Sequence, residues 1–270
     1  TLEQLTLLEK EYKSFVRNGA LLNDDEKEKL RVIDSKLAQL SLSFGEHVLA
    51  DTQAYSLHIE NESDLKGLPD NVIETAKDIA QEKGKKGWLF TLDYPSYIPF
   101  ITYAENRALR KKLNGAFNKR GFQKNENNNS AVILKIIKLR QTRAKLVGYK
   151  SHAAFVLEER MAQSEKNVKS FLDNLSEKVH PAAKNEWYTM ATFAKENLDI
   201  KVLEKWDTTF VAEKLKKATL GLDEQLLKPY FQLEKVLDGL FIIVKKLYGL
   251  SFIVNKEVDP YHDEVKVYEV

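Results

Sequence analysis

The chain has 270 residues, 43% hydrophobic and 30% charged, with 11 Gly, 6 Pro and no Cys, the composition of an ordinary globular protein with material for a core. Lys and Arg outnumber Asp and Glu by only 42 to 40, interleaved along the sequence, which offers no basic field for nucleic acid. The lack of Cys excludes disulfides, thiolate metal sites and cysteine nucleophiles, and the longest apolar run, "LFIIV" at 240–244, meets Lys245 and Lys246 at once, far short of the roughly 20 residues of a membrane span.

Helical periodicity opens the chain, predicting a helix over Leu2–Arg17 that stops at Asn18-Gly19. Asn23 starts a second helix with Glu26 as its capping-box partner, and Leu30, Ile33, Leu37, Leu40, Phe44 and Val48 step by three or four along one face. "YSLHIE" at 55–60 alternates like a strand, and the segment after Pro69 reads as a helix to Gly84. A second strand falls within 88–93, ahead of Pro95, as an edge hairpin or extended piece. Pro99 is placed to open a helix running to Gly121. The polar patch "QKNENNN" then predicts a solvated loop and an internal boundary near 122–129. Further helices are expected at Ser130–Leu146, Ser151–Met161, Lys166–Val179 and Ala182–Asn197, the last two separated by Pro181. Asp207 and Asp223 are candidate caps for two more, the later one reaching Gly249 with Val236, Leu240, Val244 and Leu247 on a broad apolar face. Two strands, 251–254 and 264–270, close the chain as a hairpin with a long loop. The fold class is therefore mainly α, a multi-helix lobe with a few short β-strands.

Residue chemistry is sparse. A helical zinc peptidase site needs two His one turn apart with a Glu beside the first, so that both imidazoles share a face and the Glu activates the bound water. His47, His58, His152, His180 and His262 are all far apart in sequence, and neither His47 nor His58 begins such a motif. His262, beside Asp263 and Glu264, fits a capping or solvated role better than catalysis. The runs Asp24-Asp25-Glu26 and Glu158-Glu159 read as solvated or dipole-facing carboxylates, and "RALRKKL" as the wet side of a helix whose dry side is Ile101, Leu109 and Leu113. Trp88, Trp187 and Trp206 are expected to serve the core. No phosphate loop, nucleophile elbow or dinucleotide fingerprint is present. No catalytic, cofactor-binding or metal-binding residue is assigned from these patterns.

Several blocks together resemble the thimet oligopeptidase and peptidyl-dipeptidase family of zinc metallopeptidases. They are "GWLFTLDYPSYIPFITYAENRALRKKL" at 87–113, "LRQTRAKLVGYKSHAAFVLEERMAQSEKNVKSFL", "KWDTTFVAEKL", "LKPYFQLEKVLDGLFIIVKKLYGLSF" and the final "YHDEVKVYEV". Their order and spacing cover nearly the whole chain, and "PSYIPF" and "LKPYFQLE" lean toward the branch that removes C-terminal dipeptides. The resemblance implies a parent enzyme that binds zinc and cuts short peptides inside a deep helical channel. Its H-E-x-x-H helix would lie downstream of the last strand, beyond residue 270, so 1–270 reads as a helical fragment without zinc of its own. The start "TLEQLTLLEK", with neither Met nor a signal-peptide pattern, agrees with a cut chain. The compartment, cytoplasmic or periplasmic, stays open.

Three functions follow as expectations. The first is an inert wall section of a zinc peptidase, self-associating through the C-terminal strands or the 224–248 helix because surface meant for a missing lobe stays exposed. The second is a non-enzymatic scaffold whose grooves take partner helices. The third, ranked last, is a complete enzyme assembled from the scattered histidines and carboxylates.

Overall fold

A computed structural model describes residues 1–221 and 223–270, with the Glu224 side chain outside the described set. The chain is mainly helical and falls into two units, Thr1–Leu215 and Lys216–Val270, the division lying within one helix. None of the described helices is long and apolar enough to cross a membrane.

In the first unit, α1 spans Leu2–Arg17 and α2 spans Asp24–Ala54. The capping box expected at Asn23 forms in both directions, Asn23 accepting from the Glu26 N–H at 2.9 Å while the Glu26 carboxylate accepts from the Asn23 N–H at 3.3 Å. Two helix-terminal donors are thereby satisfied, and Asp24, Asp25 and Glu26 sit at the positive end of the helix dipole. Beyond α2 come β1 (Ser56–Ile59), α3 (Asp70–Glu82) and β2 (Trp88–Thr91). The alternation read in "YSLHIE" puts Leu57 and Ile59 inward, both almost wholly buried.

β1 and β2 pair antiparallel, Ser56 opposite Thr91 and Ile59 opposite Trp88, with α3 packed on β2. Gly87 makes this join possible. It holds φ +85°, and a Cβ there would stand 2.3 Å from the Ile59 carbonyl oxygen. Gly87→Ala is expected to cost at least about 2 kcal/mol, the left-handed conformation and the backbone clash adding. Urea unfolding with an unchanged midpoint would contradict this.

Pro95 lies in the first turn of α4 (Tyr94–Tyr103), and Pro99 lies inside it. The expected single helix from Pro99 to Gly121 is therefore replaced by α4 and α5 (Arg107–Asn118). The break at Ala104–Asn106 has a local cause: Asn106 caps α5 by accepting from the Leu109 N–H at 3.1 Å, and Arg110 Nη1 donates to the Ala104 carbonyl at 2.7 Å. The main core forms here, from Leu57, Ile59, Val72, Phe90, Phe100, Ile101 and Leu113 among others. Phe90 and Phe100 meet edge to face at 4.7 Å, and Tyr97 stacks on Phe117 at 3.8 Å.

α6 (Ser130–Leu146) forms over the expected residues and packs along α2, where Arg143 Nε donates to Asp34 Oδ1 at 2.7 Å. Residues 122–129 lie inside the first unit. α7 is only His152–Leu157, shorter than the expected Ser151–Met161. α8 runs unbroken over Glu165–Asn197, so Pro181 does not separate two helices. Proline removes one donor from a helix interior at a cost of about 3 kcal/mol, which 33 residues of continuous helix here outweigh. A second small cluster, Ala194, Ile200, Leu203, Phe210 and Val211, joins the end of α8 to α9 (Thr208–Leu220).

In the second unit, Asp223 caps a 3-10 turn, Glu224–Tyr230, rather than a long helix, and α10 covers Leu233–Tyr248. Pro229 inside that turn prevents one continuous helix over 224–248. Gly249, at φ +72°, ends α10 in the left-handed conformation. The closing hairpin is real but short: β3 (Ile253–Val254) and β4 (Tyr268–Glu269) pair antiparallel. Phe241 stacks on Phe252 at 4.5 Å and meets Tyr268 at 5.1 Å, fastening the hairpin to α10. No tryptophan is fully buried: Trp88 is half-buried and packs against the main core as expected, Trp206 is half-buried, and Trp187 is 41% exposed, contrary to the core role expected of it.

Candidate functional site

α5 carries the most highly charged buried arrangement. Arg107 and Arg110 are one turn apart and so share a face. Both donate to Asp207, which immediately precedes α9: Arg107 Nε lies 3.0 Å from each carboxylate oxygen, Arg107 Nη2 2.7 Å from Oδ2, and Arg110 Nη2 2.8 Å from Oδ1. Asp207 is 0% and Arg110 1% exposed, so Arg110 is not on the wet face read from "RALRKKL". Its guanidinium also lies 3.9 Å over the Phe210 ring. Asp207 does hold the cap position expected, since Val211 N donates to its carbonyl, but its carboxylate accepts from Glu204 N at 3.2 Å and from the two arginines.

Burial alone would raise the Asp207 carboxyl, but the hydrogen bonds from Arg107, Arg110 and the Glu204 N–H outweigh it and hold it below the usual carboxylate range. Burial pulls Arg110 down in turn, against the pull of Asp207, though a guanidinium so placed stays cationic. Every acceptor site of this carboxylate is thus spoken for. It positions two helices and has no free lone pair aimed at a substrate.

A second buried carboxylate, Asp51, organises the polar loop. It accepts from Gly121 N at 2.7 Å, Asn127 Nδ2 at 2.8 Å and Asn125 Nδ2 at 3.0 Å. Burial opposes its ionisation, and the Asn127, Gly121 and Asn125 donors overcome that and lower its pKa. Asn129 is also fully buried, its Oδ1 2.8 Å from His47 Nδ1 and its Nδ2 donating to the Phe44 carbonyl at 3.2 Å. The segment read as a solvated connection is therefore tied to α2 by its asparagines.

The pair Glu158-Glu159 is exposed, as read, and from there also clasps α1. Arg17 meets Glu158, Lys13 meets Glu159, and Arg17 Nη2 donates to the Phe155 carbonyl at 2.7 Å while its guanidinium lies 4.1 Å over that ring. The Tyr149 hydroxyl donates to Glu158 at 2.6 Å, and with Arg17 it depresses the Glu158 pKa.

The histidines do not converge. His58 Nε2 lies 2.6 Å from the Lys86 carbonyl, His262 Nδ1 accepts from Glu264 N at 3.3 Å, and His180 is exposed on α8. His152 Nδ1 is buried without a partner, and burial together with Arg140 and Arg143 lowers its pKa. Among the described residues no group of three His, Cys, Asp or Glu is placed to hold a metal ion. Among the described residues the zinc-type donors do not converge, His47 and His58 each having one ring nitrogen in a hydrogen bond at separate places and the two buried carboxylates each accepting from several donors.

Apolar surface is the other notable feature. On α10, Val236, Leu240, Ile243 and Leu247 are 47%, 49%, 56% and 67% exposed, at the spacing of one helical stripe.

The Peptidase family M3 profile matches residues 100–270, which include the arginine–aspartate cluster and all of the second unit. Oligopeptidase A of Haemophilus influenzae is 31% identical over 274 residues, covering 100% of this chain and 40% of its own length. Oligopeptidase A of Escherichia coli is 31% identical over 262 residues, covering 96% of this chain and 38% of its own. Dipeptidyl carboxypeptidase of Escherichia coli is 28% identical over 270 residues, covering 99% and 40%. The chain thus spans about 40% of the length of the curated relatives it matches.

Proposed function

Because the chain belongs to peptidase family M3, we propose that it is a helical, non-catalytic section of a zinc metallopeptidase acting on short peptides. The observation that carries this reading is the family match over 171 of the 270 residues, 100–270, in a sequence whose histidines never fall one turn apart. The zinc ligands and general base would lie beyond residue 270 in a longer protein. Zinc there would lower the pKa of a bound water for attack on the scissile carbonyl. The residues of this chain supply rigid wall: the Arg107–Arg110–Asp207 cluster locks α5 to the start of α9, and the Asp51 network fixes the polar loop to α2. A helical wall that confines a peptide contributes by excluding bulk and orienting the chain, not by breaking bonds.

Two branches are open to the parent. The wording of "PSYIPF" and "LKPYFQLE" favours release of C-terminal dipeptides. The identity to oligopeptidase A, 31% against 28% for dipeptidyl carboxypeptidase in the same bacterium, favours cleavage of oligopeptides as the second reading. Product analysis on an N-blocked peptide decides, successive C-terminal dipeptides marking the first and internal cuts the second.

The 270-residue chain is expected to bind no stoichiometric zinc and to leave a quenched peptide uncut with zinc added, whereas the parent cuts it in a chelator-sensitive reaction. Elemental analysis and fluorescence check this. Zinc at one per chain, or chelator-sensitive cleavage by the chain alone, would overturn the reading.

A further inference from the structure

We propose that the concavity between α5 and the turn before α9 is a binding site for a nucleoside di- or triphosphate. The cavity measures about 630 Å³, within the range of small-molecule sites. It is lined by Lys111 and Lys112 of α5, by Lys119 just past the end of that helix, and by Lys205 and Trp206. Among the described residues lining it there is no carboxylate, and none of the four lysines is in an ion pair. Of the neighbouring acids, Glu105 pairs with Lys66 and Lys214 and Asp207 with the two arginines, while Glu204 adjoins Lys205 in sequence.

Four ammonium groups around one concavity, against the single carboxylate of Glu204 beside Lys205, focus positive potential there in a chain whose formal net charge is only +2. Lysines acting as point charges suit a chain of phosphates. The ring half of the ligand is argued from Trp206, which is half-buried and already carries the Lys111 ammonium 4.8 Å from its ring centre. A polyanion that draws Lys111 away leaves an indole face for a base to stack on. Gly115 also lines it, and a Cβ added there would meet nothing within 4 Å, so the concavity is open at that point.

The test uses the whole 270-residue chain at low salt with chelator present, titrated with ADP, pyrophosphate or adenosine and followed by calorimetry and tryptophan fluorescence. ADP is expected to bind more tightly than either half alone, and to weaken roughly tenfold or more in Lys112→Gln/Lys119→Gln, whose exposed positions on and beside α5 leave the fold intact. Trp206→Leu is expected to bring ADP down to the pyrophosphate level, with Lys205→Gln as a second variant should that one melt early. ADP binding unchanged by the lysine pair, ADP no tighter than pyrophosphate, or no saturation with ADP would each overturn the proposal. Peptidase activity is not part of any readout, so the result stands apart from the function proposed above.

Discussion

Asp207→Asn is expected to lower the free energy of unfolding by about 3–5 kcal/mol, because it removes the counter-charge of a buried pair and leaves the cations behind. Arg110, 1% exposed, has no route to water, whereas the Arg107 side chain is 43% exposed and can rehydrate. Arg107→Met should therefore cost much less than Arg110→Met, and the two should not add with Asp207→Asn, since all three act on one cluster. Chemical denaturation of the single and double variants measures this, and a loss under about 0.5 kcal/mol for Asp207→Asn, the size of an ordinary surface change, would refute the cluster's role.

The same cluster sets an acid limb. Asp207 and Asp51 both have folded pKa values below the usual carboxylate range, so the unfolded chain binds more protons than the folded one as pH falls past about 4. Their contribution is fully present above the unfolded value and is lost as pH drops through the folded one. Asp207→Asn should thus flatten stability against pH below about 4 and leave the slope near neutrality unchanged.

Where local signals decide structure, the sequence was readable. The Asn23–Glu26 capping box, the alternation of Leu57 and Ile59, the span of α6 and the Gly249 stop each depend on residues a few positions apart, and each formed as expected. Arg110 and Asn129 are hidden from such a reading for the opposite reason. Their partners lie far away in sequence: Asp207 is 97 positions from Arg110, and His47 is 82 from Asn129. Composition treats such groups as surface, and only a tertiary counter-charge or amide makes their burial tolerable. The i, i+3 arginines of α5 were the one available hint, since two guanidiniums on one helical face can grip a single carboxylate. Pro181 and Pro229 show that proline ends a helix in some contexts and not in others. The first sits within α8, while the second falls in a 3-10 turn that keeps α10 separate. The family resemblance, in contrast, needed no tertiary information, because it rests on ordered blocks across the chain.

The α10 stripe gives the second large effect. Val236, Leu240, Ile243 and Leu247 together leave a row of branched apolar side chains in water, and β3 and β4 form a two-stranded sheet with both outer edges unpaired by any further strand among the described residues. If this surface is meant for another part of a longer peptidase, the isolated chain should cover it with a second copy, and sedimentation should show a concentration-dependent dimer. Burying one such side chain is worth about 1.5–3 kcal/mol, so Leu240→Glu/Ile243→Glu, which forfeits two and buries charge besides, should weaken association by roughly a hundredfold or more. Exposed glutamates on a helix cost the free chain little, which keeps the comparison clean. A compact monomer over a wide concentration range, or a dimer indifferent to the substitutions, would remove the argument for a covered face. In the parent the same stripe would be covered within one molecule, and there the double variant should lower stability and leave association unchanged. That inversion separates a surface built for an intramolecular neighbour from one built for a partner, which would weaken association in both proteins alike.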